Sequence, residues 1–290
     1  MNVGRPDIIA DYSHYYTLLD NMYRIISSRY KVLFEIYPDK YFSSVKEQLS
    51  TAEMLGLDGP IDSIFLSVVH GADGGEVKLR LFNEYLGLIF THHNIRKTDI
   101  NYIKKELNGE HCLNMLFEVN IIANLIKQLG GGRVELYPKT DGSHNVEAKA
   151  NLVDRPVYIE ASVLGESMGD KTHRENMSSQ HISFWSGSRN MDHDMERFKN
   201  KVVEKARQFK PKEPNVLILS TYDFYPNNIE IEVALNKYLY PNIGLLMHFK
   251  RETYIGSFEP CLDPACGLTL TEREELIKIY NGSKYTPLAY

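Results

Sequence analysis

The chain has little cysteine and no long apolar run. Three cysteines among 290 residues give an odd count without framework spacing, which excludes a small disulfide-stabilised secreted domain and favours a reducing compartment. No run approaches the ~18 apolar residues that a membrane span needs. The N-terminus also lacks the basic-then-apolar order of a signal peptide. We therefore expect a cytoplasmic protein with no membrane partner.

Basic residues are also fewer than acidic residues. The chain has 33 Lys and Arg against 38 Asp and Glu, a formal charge of −5, which argues mildly against non-specific binding of nucleic acid. Basic residues are nevertheless concentrated between Met195 and Lys212. This segment contains seven Lys or Arg residues and only two glutamates. A helical period places Lys201, Lys205 and Gln208 on one flank of that segment. This flank is either a solvated helix face or a surface that contacts phosphates.

Length and composition allow a sizeable core and two domains. Hydrophobic content of 43% and charged content of 24% are ordinary for a globular protein. Residues 1–105 are predicted to be mainly helical and offer a surface for a protein partner. Residues 106–290 alternate helical and strand patterns. We predict an α/β domain there, with a mixed central β-sheet flanked by helices.

Three glutamates occupy segments that should be buried. Glu118 lies on the apolar stripe of a helix predicted over 112–129. Glu147 and Glu160 lie in the two strands of a predicted hairpin, 145–153 and 157–164. A carboxylate removed from water without a partner costs several kcal/mol. These positions therefore suggest a shared cation, a basic partner or a functional cleft.

Successive side chains of a strand point to opposite faces of a sheet, and in this hairpin the polar side chains share one face. The residues of that face are Asn145, Glu147, Lys149, Tyr158, Glu160 and Ser162. A two-residue turn at Asp154-Arg155 would place Lys149 opposite Glu160, and a four-residue loop would place it opposite Ser162. The face is either the solvated side of an amphipathic hairpin or part of a site. The apolar stripe around Glu118 argues for a site.

The order of these elements resembles the core of the PD-(D/E)xK nuclease superfamily. The elements are the helix 112–129, a strand over 133–138, the hairpin, a helix over 193–209 and a strand over 215–221. Glu118 matches the helix glutamate of that family, and Glu160 matches the acidic residue of its third strand. The resemblance covers about residues 110–250 and implies a restriction-endonuclease-like fold that hydrolyses DNA with Mg²⁺ or Mn²⁺. The basic helix bearing Lys201, Lys205 and Gln208 is similar to the family's helix beside the site, which implies nucleic-acid contacts.

Two positions depart from the family pattern. Asn145 stands where the family has a metal-binding aspartate, and Ser162 stands where it has a lysine. Glu147 can supply the missing negative charge and Lys149 the missing positive charge. In such a migrated site, Glu118, Glu147 and Glu160 would bind the metal. The catalytic residues would be Glu118, Glu160, Lys149, Asn145 and Ser162. Alternatively, both losses are genuine, and the chain is an inactive scaffold that binds nucleic acid or protein.

Overall fold

The protein folds into two units, a helical one and an α/β one. The computed structural model describes residues 13–50, 75–109, 111–138, 146–153, 155–165, 191–221, 226–236, 240, 242–260, 265–282 and 288. The division between the units falls between Asn83 and Glu84. Residues 84–105, which the sequence analysis assigned to the N-terminal region, group with the second unit in this division.

The N-terminal unit is helical, as the sequence predicts. Its helices are α1 (Ser13–Arg29), α2 (Lys31–Ile36), α3 (Asp39–Ser50) and the first part of α4 (Gly75–Phe90). Met22, Ile26 and Leu33 are fully buried in its core. The Asn83 side chain fixes the start of α2, because its Oδ1 accepts the backbone N–H groups of Val32 and Leu33 at 3.2 and 3.3 Å.

The second unit is an α/β domain with a mixed sheet of six strands, which confirms the predicted fold class. The helices are α5 (Lys97–Leu107), α6 (Cys112–Leu129), α7 (Met191–Ala206), α8 (Asn228–Asn236) and α9 (Leu270–Asn281). The strands are β1 (Val134–Leu136), β2 (Ala148–Asn151), β3 (Pro156–Leu164), β4 (Asn215–Thr221), β5 (Leu245–Lys250) and β6 (Thr253–Phe258). They lie side by side in chain order; β3, β4 and β5 are parallel, and the outer pairs are antiparallel.

Helices cover both faces of this sheet. Phe117 of α6 and Tyr280 of α9 both contact Phe249 of β5, so these two helices share one face. On the other face, Phe198 of α7 and Ile231 of α8 pack into a common core with side chains of β4 and β5. Every residue of α6 from Met115 to Ile126 is buried, which is typical of a helix enclosed on all sides. Among the described residues, no helix has both the length and the hydropathy needed to cross a membrane.

The hairpin of β2 and β3 has a register that differs from both predicted ones. Lys149 lies opposite Tyr158, because a four-residue loop, 152–155, separates the pair Asn151 and Pro156. Contacts with α9 hold this loop: the Val153 N–H donates to Glu275 Oε2, and Arg155 Nε donates to Glu272 Oε1, both at 3.0 Å. These partners are more than one hundred residues away in the chain, so the local pattern does not reveal them.

Strand β3 is longer than its neighbour β2, and this mismatch opens a fork in the sheet. Pairing between them ends at Ala148 and Ile159, so within the part of the chain that the structure describes, the next part of β3 has no strand beside it on that edge. Side chains satisfy the exposed N–H groups instead. The Ala161 N–H donates to Glu147 Oε2, and the Val163 N–H donates to Asn114 Oδ1 of α6, both at 2.9 Å. Residues from the two faces of the sheet can therefore meet at this fork.

Candidate active site

Three carboxylates and one ammonium meet at the fork between β2 and β3. Glu118, Glu147 and Glu160 are 2%, 9% and 1% exposed. Glu118 comes from α6, Glu147 immediately precedes β2, and Glu160 lies in the middle of β3. The structure therefore brings together the three residues that the sequence marked as metal ligands.

Glu118 is surrounded by the apolar interior of α6. Burial, and next the negative charge of Glu160, raise the pKa of Glu118 to about 8. The Tyr137 hydroxyl donates a hydrogen bond of 2.5 Å to Glu118 Oε1, which lowers this pKa but does not offset the burial. Tyr137 directly follows β1 and has a φ of 46°, an uncommon backbone conformation for a residue with a Cβ. No pattern in the sequence pointed to this tyrosine.

Glu147 and Glu160 face each other across the open end of the hairpin. Burial raises the pKa of Glu147 well above its ordinary value, and the charges of Glu160 and Glu118 raise it further. Glu160 Oε1 accepts a hydrogen bond from Lys205 Nζ, whereas Glu160 Oε2 is buried and has no hydrogen-bond partner among the described residues. Glu160 is thus paired with a cation, while Glu118 and Glu147 favour their protonated forms.

Lys205 is the cation of the cluster. It lies on α7, whose Phe198 and Val202 are buried against the sheet, and its side chain is only 12% exposed. Burial lowers the pKa of Lys205, but the carboxylates of Glu160 and Glu147 more than reverse this effect, and the net shift is upward. Gln208 Oε1 also accepts from Lys205 Nζ at 3.3 Å. Both residues were predicted to contact nucleic acid, and the structure places them beside Glu160.

The remaining predicted residues lie outside this cluster or at its margin. Lys149 Nζ is 3.6 Å from Glu135 Oε2, and the ring of Tyr158 lies beneath it, so the structure does not pair it with Glu160. The Ser162 hydroxyl donates to Asn114 Oδ1 at 3.3 Å. Lys201 pairs with Glu204 on the surface of α7. Asn145 lies outside the described residues.

Tyr102 marks the solvent side of the cluster. Its side chain is 48% exposed on α5. Burial of its hydroxyl, followed by the charges of Glu118 and Glu106, raises the pKa of Tyr102. Because Glu147 and Glu160 also contribute to that shift, the phenol lies near all three carboxylates.

The donor atoms of the cluster suit a hard divalent cation. Mg²⁺ and Mn²⁺ prefer carboxylate oxygens, and this site offers three such groups with one unpartnered oxygen, Glu160 Oε2. Within the described residues, no group of three or more His, Cys, Asp or Glu is already arranged to hold an ion. Ion binding would therefore require displacement of protons from Glu118 and Glu147 and small movements of their carboxylates.

Comparison with known proteins adds no relative. The chain matches no protein-family model, and searches of curated proteins and of solved structures also found no match.

The raised pKa of Glu118 predicts that stability falls as pH rises. The folded state holds this proton up to about pH 8, whereas the ordinary pKa is 4.5, so the stabilisation is complete below pH 4.5 and disappears between these values. Each pH unit in that window should cost at most about 1.4 kcal/mol for one such group. Urea unfolding at a series of pH values would measure this slope.

Glu118→Gln is the variant that tests the assignment. It should flatten the slope, whereas Glu135→Gln, in a side chain that is 49% exposed, should leave the slope unchanged. Equal slopes in the wild-type chain and in Glu118→Gln would contradict the assignment of the proton to Glu118.

Proposed function

We propose that this chain is a metal-dependent phosphodiesterase that acts on nucleic acid, with DNA as the expected substrate. The observation that supports this most strongly is the convergence of Glu118, Glu147 and Glu160 with Lys205 at the fork of the sheet. Carboxylates from a helix and a hairpin, beside a lysine, are the components that a diverged PD-(D/E)xK site requires. In this proposal, Lys205 is the positively charged residue of the site, a role that the sequence analysis assigned to Lys149.

Each residue of the cluster has a distinct part in this proposal. Glu118, Glu147 and Glu160 would hold Mg²⁺ or Mn²⁺, which when bound supplies an activated water and stabilises charge on the phosphate. Tyr137 fixes the orientation of Glu118 through its hydrogen bond. Lys205 pairs with Glu160 and carries the positive charge that Ser162 cannot supply.

Nucleic acid would approach along the exposed side of the cluster. Tyr102 offers an aromatic ring there, and bases stack well on aromatic side chains. Lys201 lies on the same helix as Lys205 and remains partly exposed, so it is the better candidate for phosphate contact. We further propose a cytoplasmic location, which suits the low cysteine content of the chain.

An inactive scaffold that binds nucleic acid or protein is the second candidate. Ser162, at the position of the family's lysine, is engaged by Asn114 rather than aimed at a substrate. The described residues also lack a preformed group of three metal ligands. The helical N-terminal unit would then serve as the surface for a protein partner.

Manganese binding separates the two candidates. We expect the folded chain to bind Mn²⁺ and to release protons, because the ion competes with the protons on Glu118 and Glu147. Affinity should therefore increase as pH rises towards about 8. Calorimetry in buffers of different ionisation enthalpy would count the released protons.

Glu118→Gln should weaken Mn²⁺ binding and reduce the proton release, whereas Glu135→Gln should change neither. A folded wild-type chain that binds no Mn²⁺ at any pH would decide for the scaffold.

A further inference from the structure

A short segment between α4 and α5 is hydrogen-bonded to the end of β1. Asn94 Oδ1 accepts the Leu136 N–H at 3.2 Å, and Asn94 Nδ2 donates to Leu136 O at 3.3 Å. Arg96 Nη2 donates to Tyr137 O at 3.3 Å. The segment 92–96, which we call the clamp, therefore holds two consecutive residues where β1 ends beside the carboxylate cluster.

Contacts around the clamp fix both of these side chains. His92 is buried, and its two ring nitrogens are hydrogen-bonded to Asn94 Oδ1 at 2.5 Å and to Gly131 O at 3.1 Å. Arg96 forms a bidentate pair with Asp99, with Nε–Oδ2 and Nη2–Oδ1 distances of 2.7 and 2.9 Å. A bidentate pair restricts the orientation of a guanidinium. Asn94 and Arg96 therefore reach β1 in fixed orientations.

Tyr137 needs such support because its backbone conformation is uncommon. Its φ of 46° lies in the left-handed region, which residues with a Cβ rarely adopt. A strained backbone persists only where the surrounding contacts over-determine it. Here the Tyr137 N–H donates to Glu147 O at 2.9 Å, and the Tyr137 carbonyl accepts from Arg96. Both backbone polar groups of this residue are thus held in place.

Tyr137 connects the clamp to two of the proposed metal ligands. Its hydroxyl donates to Glu118 Oε1 at 2.5 Å, and its N–H is bonded to the backbone of Glu147. The direction in which a side chain leaves the backbone depends on the backbone conformation. A change of φ at Tyr137 would therefore remove the hydroxyl from Glu118.

We propose that Asn94 and Arg96 are positioning residues of the carboxylate cluster and act through Tyr137. Neither side chain bonds to a carboxylate of the cluster, so their effect on Glu118 passes through the tyrosine hydroxyl. The inference rests on the proposed function, since a metal ion is what requires Glu118 to be aligned with the other carboxylates. Partners that orient a ligand without touching the metal typically change metal affinity by roughly ten- to hundred-fold when they are replaced.

Nuclear magnetic resonance of the metal-free chain tests the clamp itself. The Cζ resonance of Tyr137, assigned by its absence in Tyr137→Phe, reports the hydrogen bond of this hydroxyl. Asn94→Ala and Arg96→Met should each shift the resonance towards that of a tyrosine bonded to water. A Tyr137 resonance that stays unchanged in both variants would overturn the proposal, whether or not the chain binds metal.

Arg133→Met is the matched control at the opposite end of β1. Arg133 also donates to a backbone carbonyl, that of Asn151, at 2.8 Å, and it pairs with the carboxylate of Glu275. Its side chain is 41% exposed, against 39% for Arg96. Arg133→Met should therefore leave the Tyr137 resonance in place. A shift as large as that of Arg96→Met would mean that any lost contact of β1 has this effect, and the specific role of the clamp would fall.

Manganese affinity tests the role of the clamp at the metal site. Asn94→Ala should weaken Mn²⁺ binding by roughly ten-fold, as Tyr137→Phe should. Because both changes act through one hydroxyl, the double variant should bind no more weakly than Tyr137→Phe alone. Losses that add in full, or an unchanged affinity in Asn94→Ala, would overturn this inference and leave the proposed function intact. A wild-type chain that binds no Mn²⁺ would overturn the proposed function and this role together.

Discussion

A Lys205→Met variant should lose about 3–5 kcal/mol of its free energy of unfolding at neutral pH. Lys205 is the cation bonded to Glu160, whose side chain is only 1% exposed. Without the ammonium, Glu160 keeps a buried negative charge beside two other carboxylates, or it must take up a proton. Either outcome favours the unfolded chain, in which water solvates the carboxylate. Urea unfolding of the wild-type and variant chains would measure the loss.

Two further variants show whether the loss arises from the buried pair. Glu160→Gln added to Lys205→Met should restore most of the stability, because a neutral amide needs no cation. Lys201→Met is the matched control on the same helix, since its partner Glu204 is 57% exposed, and it should cost no more than about 0.5 kcal/mol. Equal losses in Lys205→Met and Lys201→Met would contradict the structural assignment, whatever the function of the chain.

Glu160→Gln alone should abolish metal-dependent cleavage of DNA, with a rate reduction of roughly a thousand-fold. This substitution removes the proposed metal ligand that also pairs with Lys205. The chain should still fold, with a lower free energy of unfolding, because Lys205 loses its partner Glu160 but keeps Gln208 as a hydrogen-bond acceptor. Nicking of supercoiled DNA in Mn²⁺ would measure the rate, and circular dichroism would confirm the fold.

Controls distinguish a lost site from a contaminating nuclease. Glu204→Gln changes an exposed carboxylate one residue from Lys205 and should cleave at the wild-type rate. Wild-type activity that persists in Glu160→Gln would place the chemistry elsewhere or attribute it to a contaminant. DNA binding without cleavage in both the wild-type chain and the variant would support the scaffold.

The sequence predicts the architecture well because the apolar patterns are strong. The helix predicted over 112–129 and the strand predicted over 215–221 have those same bounds in the structure. The burial of Glu118 followed from its place on an apolar stripe, and the structure agrees. Strand β6 was not predicted, because Gly256 interrupts a short run that has little alternation. Such an edge strand depends on the pairing that β5 provides.

The sequence could not predict which lysine lies next to Glu160. Lys149 was predicted to lie near Glu160, and Lys205 was predicted to contact nucleic acid. The distance of each from Glu160 depends on the hairpin register and on the packing of α7. The register places Lys149 opposite Tyr158 and beside Glu135. Helix α7 buries Phe198 and Val202, and this packing directs Lys205 towards β3. Both facts are tertiary, and neither residue carries a local signal for them.

The loop between β2 and β3 makes the site sensitive to changes far from it. Glu272 and Glu275 of α9 hold this loop, and a slip of one residue in the hairpin would turn Glu147 to the opposite face of the sheet. A substitution in α9 can therefore disturb the alignment of the carboxylates while every residue of the cluster stays unchanged. A natural variant with such a substitution in α9 would keep all the residues of the cluster, but its carboxylates would not be aligned.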